Sequence, residues 1–407
     1  MEIYGIGGST IDKELKAIKP IAHLVKPIQK EEFQVRIKKA TDLMQHYKVK
    51  AMYLHAGTNL YYFTGTLWNS SERIVGALLF QDGSLEYIAP EFEIGTVLDF
   101  MTITGKVNGW QEHENPYKLF SNILFNYGIH EGDVFIDEAT PFFITNGILK
   151  ANSKLNLVNA KPITAGCRMF KSDAEIAIIQ LAMDITLEVQ KAAARVLRVG
   201  ISTKEVTDFI HEAHKRYGVV SGSYFCIVLF GADSSFPHGV KNPKNLEAND
   251  VVLIDTGCML QNYISDITRT YVFGEATEKQ KRIWNIEKET QQAAFDAAKL
   301  GATCGDIDAA SRKTLELHGL GPDYKLPGLP HRTGHGIGLD IHEWPYLVKN
   351  DNTILQPGMC VSLEPMICVS NEFGIRHEDH VFLTNEGAKW FTEPMCSISD
   401  PFGVWIC

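Results

Sequence analysis

The spacing of apolar residues predicts that helices and strands alternate in the first part of this chain. Residues 31–47 carry apolar side chains at helical spacing, and residues 134–137 form a short apolar run typical of a buried strand. Residues 74–80 and 84–90 flank a Gln-Asp-Gly turn, which predicts a β-hairpin. We therefore predict an α/β fold for the N-terminal part of the chain.

A strong helix start predicts where a second domain begins. Ser172 and Glu175 have the spacing of a capping box, and a long amphipathic pattern follows them. Residues 159–166, which include a proline and a glycine, are predicted to be a linker. We predict two domains, 1–165 and 166–407, because a chain of 407 residues exceeds the usual size of one hydrophobic core.

Two aspartates accompany strand-like sequence further along the chain. Asp255 ends the apolar run 251–254, and Asp266 precedes the β-branched run 267–272. The pattern predicts antiparallel strands with a short connection near Asn262, with the two carboxylates facing each other across the strand pair. Taken alone the signal is weak, because an aspartate at a strand end is more often a turn or capping residue.

A glycine-rich stretch, residues 331–345, contains three histidines: His331, His335 and His342. Glycine adds no packing surface, so this stretch is not predicted to be core. Its glycine spacing does not fit the dinucleotide-binding pattern, and prolines occupy the place of the preceding strand. We predict that the glycines let the backbone approach a ligand.

Two further acidic positions lie in strand-like sequence near the C-terminal end. Glu364 precedes Pro365, which favours an extended or turn conformation at a strand end. Residues 376–380 form a charged cluster, for which a solvated sheet edge is the alternative interpretation. Within it, His377 and His380 are interpreted as surface or supporting groups.

Together these stretches supply a predicted metal-binding set. Four carboxylates and one imidazole offer mostly hard oxygen ligands, which suit Mn²⁺, Co²⁺, Zn²⁺ or Fe²⁺ better than a metal that prefers thiolates. The set comprises Asp255, Asp266, His335, Glu364 and Glu378. We predict two divalent cations, with Mn²⁺ favoured, and hydrolysis by metal-activated water.

In this order, and with His238 in a Phe-Pro-His-Gly context and His342, the sequence resembles the pita-bread metallopeptidases: methionine aminopeptidase, aminopeptidase P and prolidase. The resemblance covers about residues 165–400. It implies an α+β fold, with a pita-bread (creatinase/aminopeptidase) catalytic domain preceded by a smaller α/β creatinase-like N-terminal domain. Methionine aminopeptidases lack that first domain, so the resemblance favours the prolidase and aminopeptidase P branch.

The resemblance also implies how the metal ligands divide. Asp266 and Glu378 would bridge the two ions, Asp255 would complete one, and His335 and Glu364 the other. A metal-bridging water or hydroxide would then attack the Xaa-Pro bond of a short peptide. The N-terminal domain would restrict the site to such short substrates.

The remaining roles are likewise implied by the resemblance. Glu364 would accept and shuttle the proton, while His238 and His342 would stabilise the oxyanion. His331 would line the site, and Arg376 would orient a metal carboxylate. A dipeptidase would also need a cation for the substrate carboxylate, for which Arg332 or Lys349 could serve, whereas an aminopeptidase would not; the sequence leaves both open.

Composition limits the partners. A net charge of −10 argues against nucleic acid, and the sequence has neither an apolar run of 18 residues nor a recognisable signal peptide. Eight cysteines without a C-x-x-C pair are expected to be reduced, largely buried thiols. We expect a cytoplasmic homodimer that does not bind membranes.

Three alternatives belong to other functional classes. Relatives of this fold include metal-dependent lyases, creatinase-like hydrolases that act without metal, and non-enzymatic binding modules. The last two have lost metal ligands that this chain retains. Retained ligands do not exclude a lyase.

Overall fold

The computed structural model describes residues 5–404. Its contacts divide the chain into two units. One runs from Ile28 to Arg168; the other comprises the residues up to Pro27 together with those from Met169 onward. The boundary between residues 165 and 166 stays a prediction. Residues 1–4 and Cys407 lie outside the described residues. The first belong to the segment predicted to lack a signal peptide, and Cys407 is one of the eight cysteines.

Helices and strands are numbered here in chain order over the described residues. The helices are α1 Ile11–Ala17, α2 Lys30–His46, α3 Thr58–Thr64, α4 Ile94–Phe100, α5 Pro116–Asn126, α6 Phe142–Ala151, α7 Lys161–Arg168, α8 Asp173–Val196, α9 Thr203–Arg216, α10 Glu278–Ala297 and α11 Cys304–Leu317. The strands are β1 Ala51–His55, β2 Gly76–Phe80, β3 Leu85–Pro90, β4 Lys106–Trp110, β5 Gly132–Ile136, β6 Leu155–Asn159, β7 Ser223–Phe230, β8 Val251–Leu260, β9 Tyr263–Ile264, β10 Ile267–Val272, β11 Gly334–Gly336, β12 Glu343–Leu347, β13 Cys360–Leu363, β14 Met366–Val369, β15 Phe373–Arg376, β16 Asp379–Thr384 and β17 Gly387–Trp390.

The unit from Ile28 to Arg168 is the predicted α/β fold. In the described chain its sheet has six strands in the order β4-β3-β2-β1-β5-β6. The hairpin β2–β3 is antiparallel, whereas β5 pairs in parallel with β1 and with β6. Helix α2 matches the predicted helix, with Phe33, Ile37 and Met44 buried along one side. The sequence pattern therefore predicted this unit well.

The predicted linker over residues 159–166 is wrong. β6 ends at Asn159 and α7 begins at Lys161, so the segment is structured throughout. The proline that suggested a linker lies at the start of the helix, where its missing N–H costs no intrahelical hydrogen bond. Ile163 and Cys167 are fully buried, which explains why the segment folds onto its own unit.

In the second unit, sheets pack against long helices. In its described residues β10-β8-β7 form one sheet, with β9 added to β8, and β12-β11-β13-β16-β17 form another. Helix α8 begins at the predicted capping box, in which Ser172 and Glu175 satisfy each other's backbone N–H groups. Gln190 of α8 donates to backbone carbonyls of Ile254 and Ile267 at 3.0 Å each, tying the helix to β8 and β10.

The strand pair around the two aspartates is longer than predicted. β8 does not end at Asp255 but continues to Leu260, and the register sets Asp255 opposite Thr268, not opposite Asp266. Gly257 permits the continuation, because a Cβ there would lie 1.7 Å from the Ser265 carbonyl oxygen. The predicted turn at Asn262 is confirmed, with φ of 69° there.

The described cysteines mostly fit the expectation. Six are free. One of them, Cys226, is half-buried, and the other five are buried: Cys167, Cys258, Cys304, Cys360 and Cys368. Cys396 is disulfide-bonded, so the expectation of reduced thiols is wrong there. The expectation rested on residue spacing, which does not reveal pairs joined through the fold.

A search of the described helices for a membrane span gives a negative result: none combines the necessary length and hydrophobicity.

Candidate metal centre

Strands of two sheets and the residues that flank them bring the predicted metal ligands together. Asp255 lies on β8 and Asp266 immediately precedes β10. His335 is the middle residue of β11, Glu364 follows β13, and Glu378 precedes β16. All are buried except Glu364, whose side chain is 13% exposed. A buried cluster of this composition requires positive charge to compensate it.

His335 lies at the centre of three carboxylates. Its Nε2 atom is 3.1 Å from Glu364 Oε1, 3.8 Å from Asp266 Oδ2 and 4.0 Å from Glu378 Oε1. Its Nδ1 atom is 3.0 Å from the carbonyl oxygen of Gly336. A proton on Nδ1 would donate to that carbonyl, leaving the Nε2 lone pair directed at the carboxylates, the tautomer that binds a metal.

Four buried atoms of this cluster have no standard hydrogen-bond partner among the described residues: Asp255 Oδ1, Asp266 Oδ1, His335 Nε2 and Glu378 Oε1. Buried polar atoms are nearly always satisfied, and leaving one unpaired costs about 1–3 kcal/mol. Each of these atoms is also a metal donor. The residues present therefore fit divalent cations bound between them.

Electrostatics support the same conclusion. Burial raises the pKa of Asp266 well above its ordinary value, and the neighbouring Glu378, Asp255 and Glu364 raise it further. Burial, Glu364 and Asp255 raise the pKa of Glu378 in the same way. Burial also acts to raise the pKa of Glu364, but His335 and His331 outweigh it and hold that pKa low. Such a cluster takes up either protons or cations.

Arg376 contacts Asp255, while its role in orienting a metal carboxylate stays a prediction. Its Nη2 atom donates to Asp255 Oδ2, and its Nε atom donates to Thr268 Oγ1 at 3.0 Å. Thr268 in turn donates to Glu378 Oε2 at 2.6 Å. Thr268 was not predicted, although its place in the alternating run after Asp266 could have indicated it.

A second arginine, Arg269, was also missed. It is fully buried and pairs with Asp379 at 2.6 Å. It also donates to the carbonyl oxygen of Glu378 at 3.0 Å, which fixes the backbone beside that ligand. Arginine in the middle of a β-branched strand is unusual, and that signal could have indicated a buried ion pair.

The predicted site histidines differ in their surroundings. The ring of His342 is 4.2 Å from that of His335, and burial together with His335 lowers the pKa of His342 to about 4. Burial lowers the pKa of His331, whose Nδ1 atom is 2.7 Å from the Arg332 carbonyl oxygen. His238 is exposed, and it makes a small contribution to lowering the pKa of both His331 and His342.

His380 is buried beside the predicted ligands, so its interpretation as a surface group is wrong, whereas its interpretation as a supporting group stays a prediction. One ligand atom each of Asp266, His335, Glu378 and His380 lies within 4.8 Å of the others. Burial, reinforced by His335, lowers the pKa of His380 well below its ordinary value. His377 is buried too, with its ring centroid 4.5 Å from Trp284. The charged cluster 376–380 is therefore not a solvated edge.

The glycines of the histidine-rich stretch serve the sheet. A Cβ on Gly334 would lie 2.0 Å from the Ser362 carbonyl oxygen, and one on Gly336 would lie 2.4 Å from that of Trp344. The expectation that they admit a ligand is therefore wrong for both. They let β12 and β13 approach β11 closely enough to aim His335 into the cluster.

The fold and this buried cluster define a metal-dependent peptidase of the pita-bread class. The chain belongs to metallopeptidase family M24, which residues 177–385 match, and residues 36–170 match the Creatinase/Prolidase N-terminal domain. The prediction of this family, of its fold and of an enzyme is confirmed.

Relatives agree over most of the chain. It is 33% identical to a putative dipeptidase, YkvY, of Bacillus subtilis, over 88% of this chain and 97% of the relative. Among solved structures, a prolidase from Thermococcus sibiricus is 29% identical with a TM-score of 0.81, over 89% of this chain and 97% of that one. Dipeptidase PepE from Mycobacterium ulcerans is 26% identical with a TM-score of 0.84, over 90% and 97%.

Proposed function

We propose that this enzyme hydrolyses the Xaa-Pro bond of short peptides with two divalent cations, Mn²⁺ in the first place. The observation that carries the proposal is the set of buried metal-donor atoms on Asp255, Asp266, His335 and Glu378 that make no standard hydrogen bond with the described residues. Similarity to a prolidase and to dipeptidases supports the substrate class. Bound cations would lower the pKa of water towards neutrality and polarise the scissile carbonyl.

The protein's own residues would divide the remaining work. Glu364 Oε1 is beside His335, stays ionised, and would accept the proton of the attacking water and pass it to the leaving nitrogen. His342, neutral at physiological pH, would donate an N–H to the developing oxyanion, with His238 as a second donor. His331 would line the site. Arg376 would keep Asp255 oriented as charge develops.

Arg332 favours a dipeptide as the substrate. Its guanidinium lies over the ring of Tyr346 at 4.4 Å, and its charge acts on His342. It forms no ion pair with a carboxylate anywhere in residues 5–404. Lys349, the other candidate, is exposed and already paired with Asp323 at 2.6 Å. We propose Arg332 as the cation that receives the free carboxylate of an Xaa-Pro dipeptide.

The test compares four substrates at equal metal occupancy: Ala-Pro, Ala-Ala, Ala-Pro amide and Ala-Pro-Ala. We expect Ala-Pro to exceed Ala-Ala in kcat/KM by more than the roughly 10- to 200-fold that one methylene group can supply. The natural enzyme should have a low kcat/KM for the amide. Arg332→Gln should lower kcat/KM for Ala-Pro and change that for the amide little. Equal rates on Ala-Pro and Ala-Ala would reject the Xaa-Pro proposal. Equal rates on the acid and the amide would reject only the dipeptidase arm, in favour of an aminopeptidase.

The remaining expectations belong to the same proposal: a homodimer, located in the cytoplasm, that binds neither nucleic acid nor membranes. The rival functions are a metal-dependent lyase, a creatinase-like hydrolase and a binding module. Two bound ions without cleavage of any peptide would favour the lyase. Full activity without metal would favour the creatinase-like chemistry.

A further inference from the structure

His380 lies on the same sheet face as His335. The paired register of β13 and β16 sets His380 opposite Ser362. The register of β11 and β13 pairs Gly336 with Val361, and one residue further it sets His335 beside Ser362. The backbone N–H of His335 donates to Ser362 Oγ at 2.8 Å. The small serine between the two histidines leaves room for both rings, whose centroids are 5.8 Å apart.

Strand alternation separates His380 from its neighbours in sequence. Successive side chains of a strand point to opposite faces, so Glu378 and His380 share one face and His377 and Asp379 share the other. The partners agree: Asp379 binds Arg269, and His377 packs on Trp284, away from the cluster. His380 therefore points to the side where Glu378 and His335 meet.

His380 is fully buried, and by distance and angle neither ring nitrogen makes a standard hydrogen bond with the described residues, although the backbone of Asp266 lies near enough to act on its pKa. A neutral imidazole in that position has two polar atoms to satisfy. A structural histidine of this kind normally has a protein partner, as His214 has in Thr186 and Ser223. His380 has no comparable side-chain partner within residues 5–404, yet one of its nitrogens lies within 4.8 Å of ligand atoms of Asp266, His335 and Glu378.

We propose that His380 is a direct ligand of one ion of the proposed pair, so that this ion has two imidazoles while the other has carboxylate ligands. The inference rests on the proposed two-ion site. Imidazole suits Zn²⁺ and Fe²⁺, whereas an oxygen-only set suits Mn²⁺. The two positions are then chemically unequal: both can hold Mn²⁺, but the one with two imidazoles favours Zn²⁺ or Fe²⁺ more strongly than the other does.

The experiment measures binding of Zn²⁺ and of Mn²⁺ to metal-free protein, without reference to activity, in the natural chain, in His380→Gln and in His377→Gln. We expect His380→Gln to weaken one Zn²⁺ site by more than the roughly 10- to 100-fold that loss of an outer hydrogen-bond partner causes. Binding of Mn²⁺ to the other site should change little. His377→Gln, a buried histidine beside the same ligand, is the matched control and should leave both affinities intact.

A second measurement tests direct coordination in case His380→Gln weakens the fold. In the Co²⁺-loaded natural protein, proton NMR should show strongly shifted exchangeable N–H signals from two coordinated imidazoles, and His380→Gln should lose one of them. Unchanged Zn²⁺ affinity, or a single imidazole signal in the natural protein, would overturn the role of His380. If the natural protein bound no metal at all, the proposed function itself would fail, so the two failures are distinguishable.

Discussion

The contacts of single residues in the cluster distinguish those suited to bind metal from one suited to orient them. Asp255, Asp266, His335 and Glu378 each retain a buried atom without a standard hydrogen bond to any of residues 5–404, whereas Arg376 is satisfied by Asp255 and Thr268. A bound cation would satisfy atoms of the first kind. Arg376 acts only by orienting them, so its loss should impair the site without removing a ligand.

His342 provides the sharpest test at this scale. Its ring adjoins His335, and its lowered pKa of about 4 leaves it neutral with an N–H that can donate a hydrogen bond. Among the described residues it lies outside the group of four that could hold a metal ion. We expect His342→Ala to lower kcat by about 10²- to 10³-fold, the effect of losing an oxyanion donor. Metal content should remain close to that of the natural enzyme.

Elemental analysis alongside steady-state kinetics measures both quantities, with His318→Ala as the control, since that histidine pairs with Glu289 at 2.8 Å on the surface of α10 and α11. Loss of metal in proportion to activity would make His342 a ligand and reject the assignment.

Secondary structure elements differ in how far the sequence determines them locally. The start of α8 was predictable because a capping box is satisfied within four residues. The extent of β8 was not, because it depends on how closely Ser265 approaches Gly257 across the hairpin. His380 could have been found by strand alternation from Glu378, but its burial depends on β13 and β16 pairing. Local signals thus indicated the candidate ligands, and tertiary contacts decided which neighbours lie beside them.

Helix α11 fixes the loop that carries His331. Arg312 pairs with Asp308 at 2.8 Å and donates to the His331 carbonyl oxygen at 2.7 Å, while Asp308 accepts from Thr333 Oγ1 at 2.8 Å. Arg312→Met leaves Asp308 buried and uncompensated, which typically costs about 3–5 kcal/mol. We expect a lower melting temperature and a fall in kcat, with metal content preserved.

The neighbouring exposed Lys313→Met removes a charge from the same helix without touching the loop, and serves as the control for differential scanning calorimetry. Unchanged melting and unchanged kcat in Arg312→Met would show that the loop does not depend on this pair.

His214 joins three elements and should make stability depend on pH. It lies on α9, with Nε2 3.2 Å from Thr186 Oγ1 of α8 and Nδ1 2.9 Å from Ser223 Oγ of β7. Burial, with a smaller effect of His211, lowers its pKa to about 3. The unfolded chain binds a proton below about pH 6.5 that the folded chain does not, so stability is full above that pH and falls by up to about 1.4 kcal/mol per unit below it.

We expect His214→Gln, which keeps hydrogen-bonding capacity, to flatten the decline of melting temperature with falling pH. His113→Gln, at an exposed position, should leave the decline unchanged. An identical pH profile for His214→Gln would show that other groups cause the decline.

At the scale of the whole molecule, the metal cluster concentrates negative charge inside a chain whose net charge is already −10. Without cations, burial and the repulsion of Glu378, Asp255 and Glu364 raise the pKa of Asp266. A ligand that binds only the folded state stabilises it, by about 2.7 kcal/mol per site at a hundredfold excess over Kd. Removal of metal should therefore lower the melting temperature of the entire enzyme.

Asp266→Asn should lower the stability of the metal-loaded enzyme and raise that of the metal-free enzyme. With saturating Mn²⁺ we expect it to melt below the natural enzyme, because it has lost a proposed bridging ligand. In chelator we expect it to melt above the natural enzyme, because one opposed carboxylate is gone. A carboxyl group with a raised folded-state pKa loses its stabilising effect as pH rises, so the advantage in chelator should be larger at about pH 8 than at about pH 5. Thermal melts of both proteins in Mn²⁺ and in chelator, each at about pH 5 and about pH 8, test this prediction. If Asp266→Asn melts below the natural enzyme in all four conditions, Asp266 stabilises the fold independently of any cation. The cluster is then not a metal site held together by its ions.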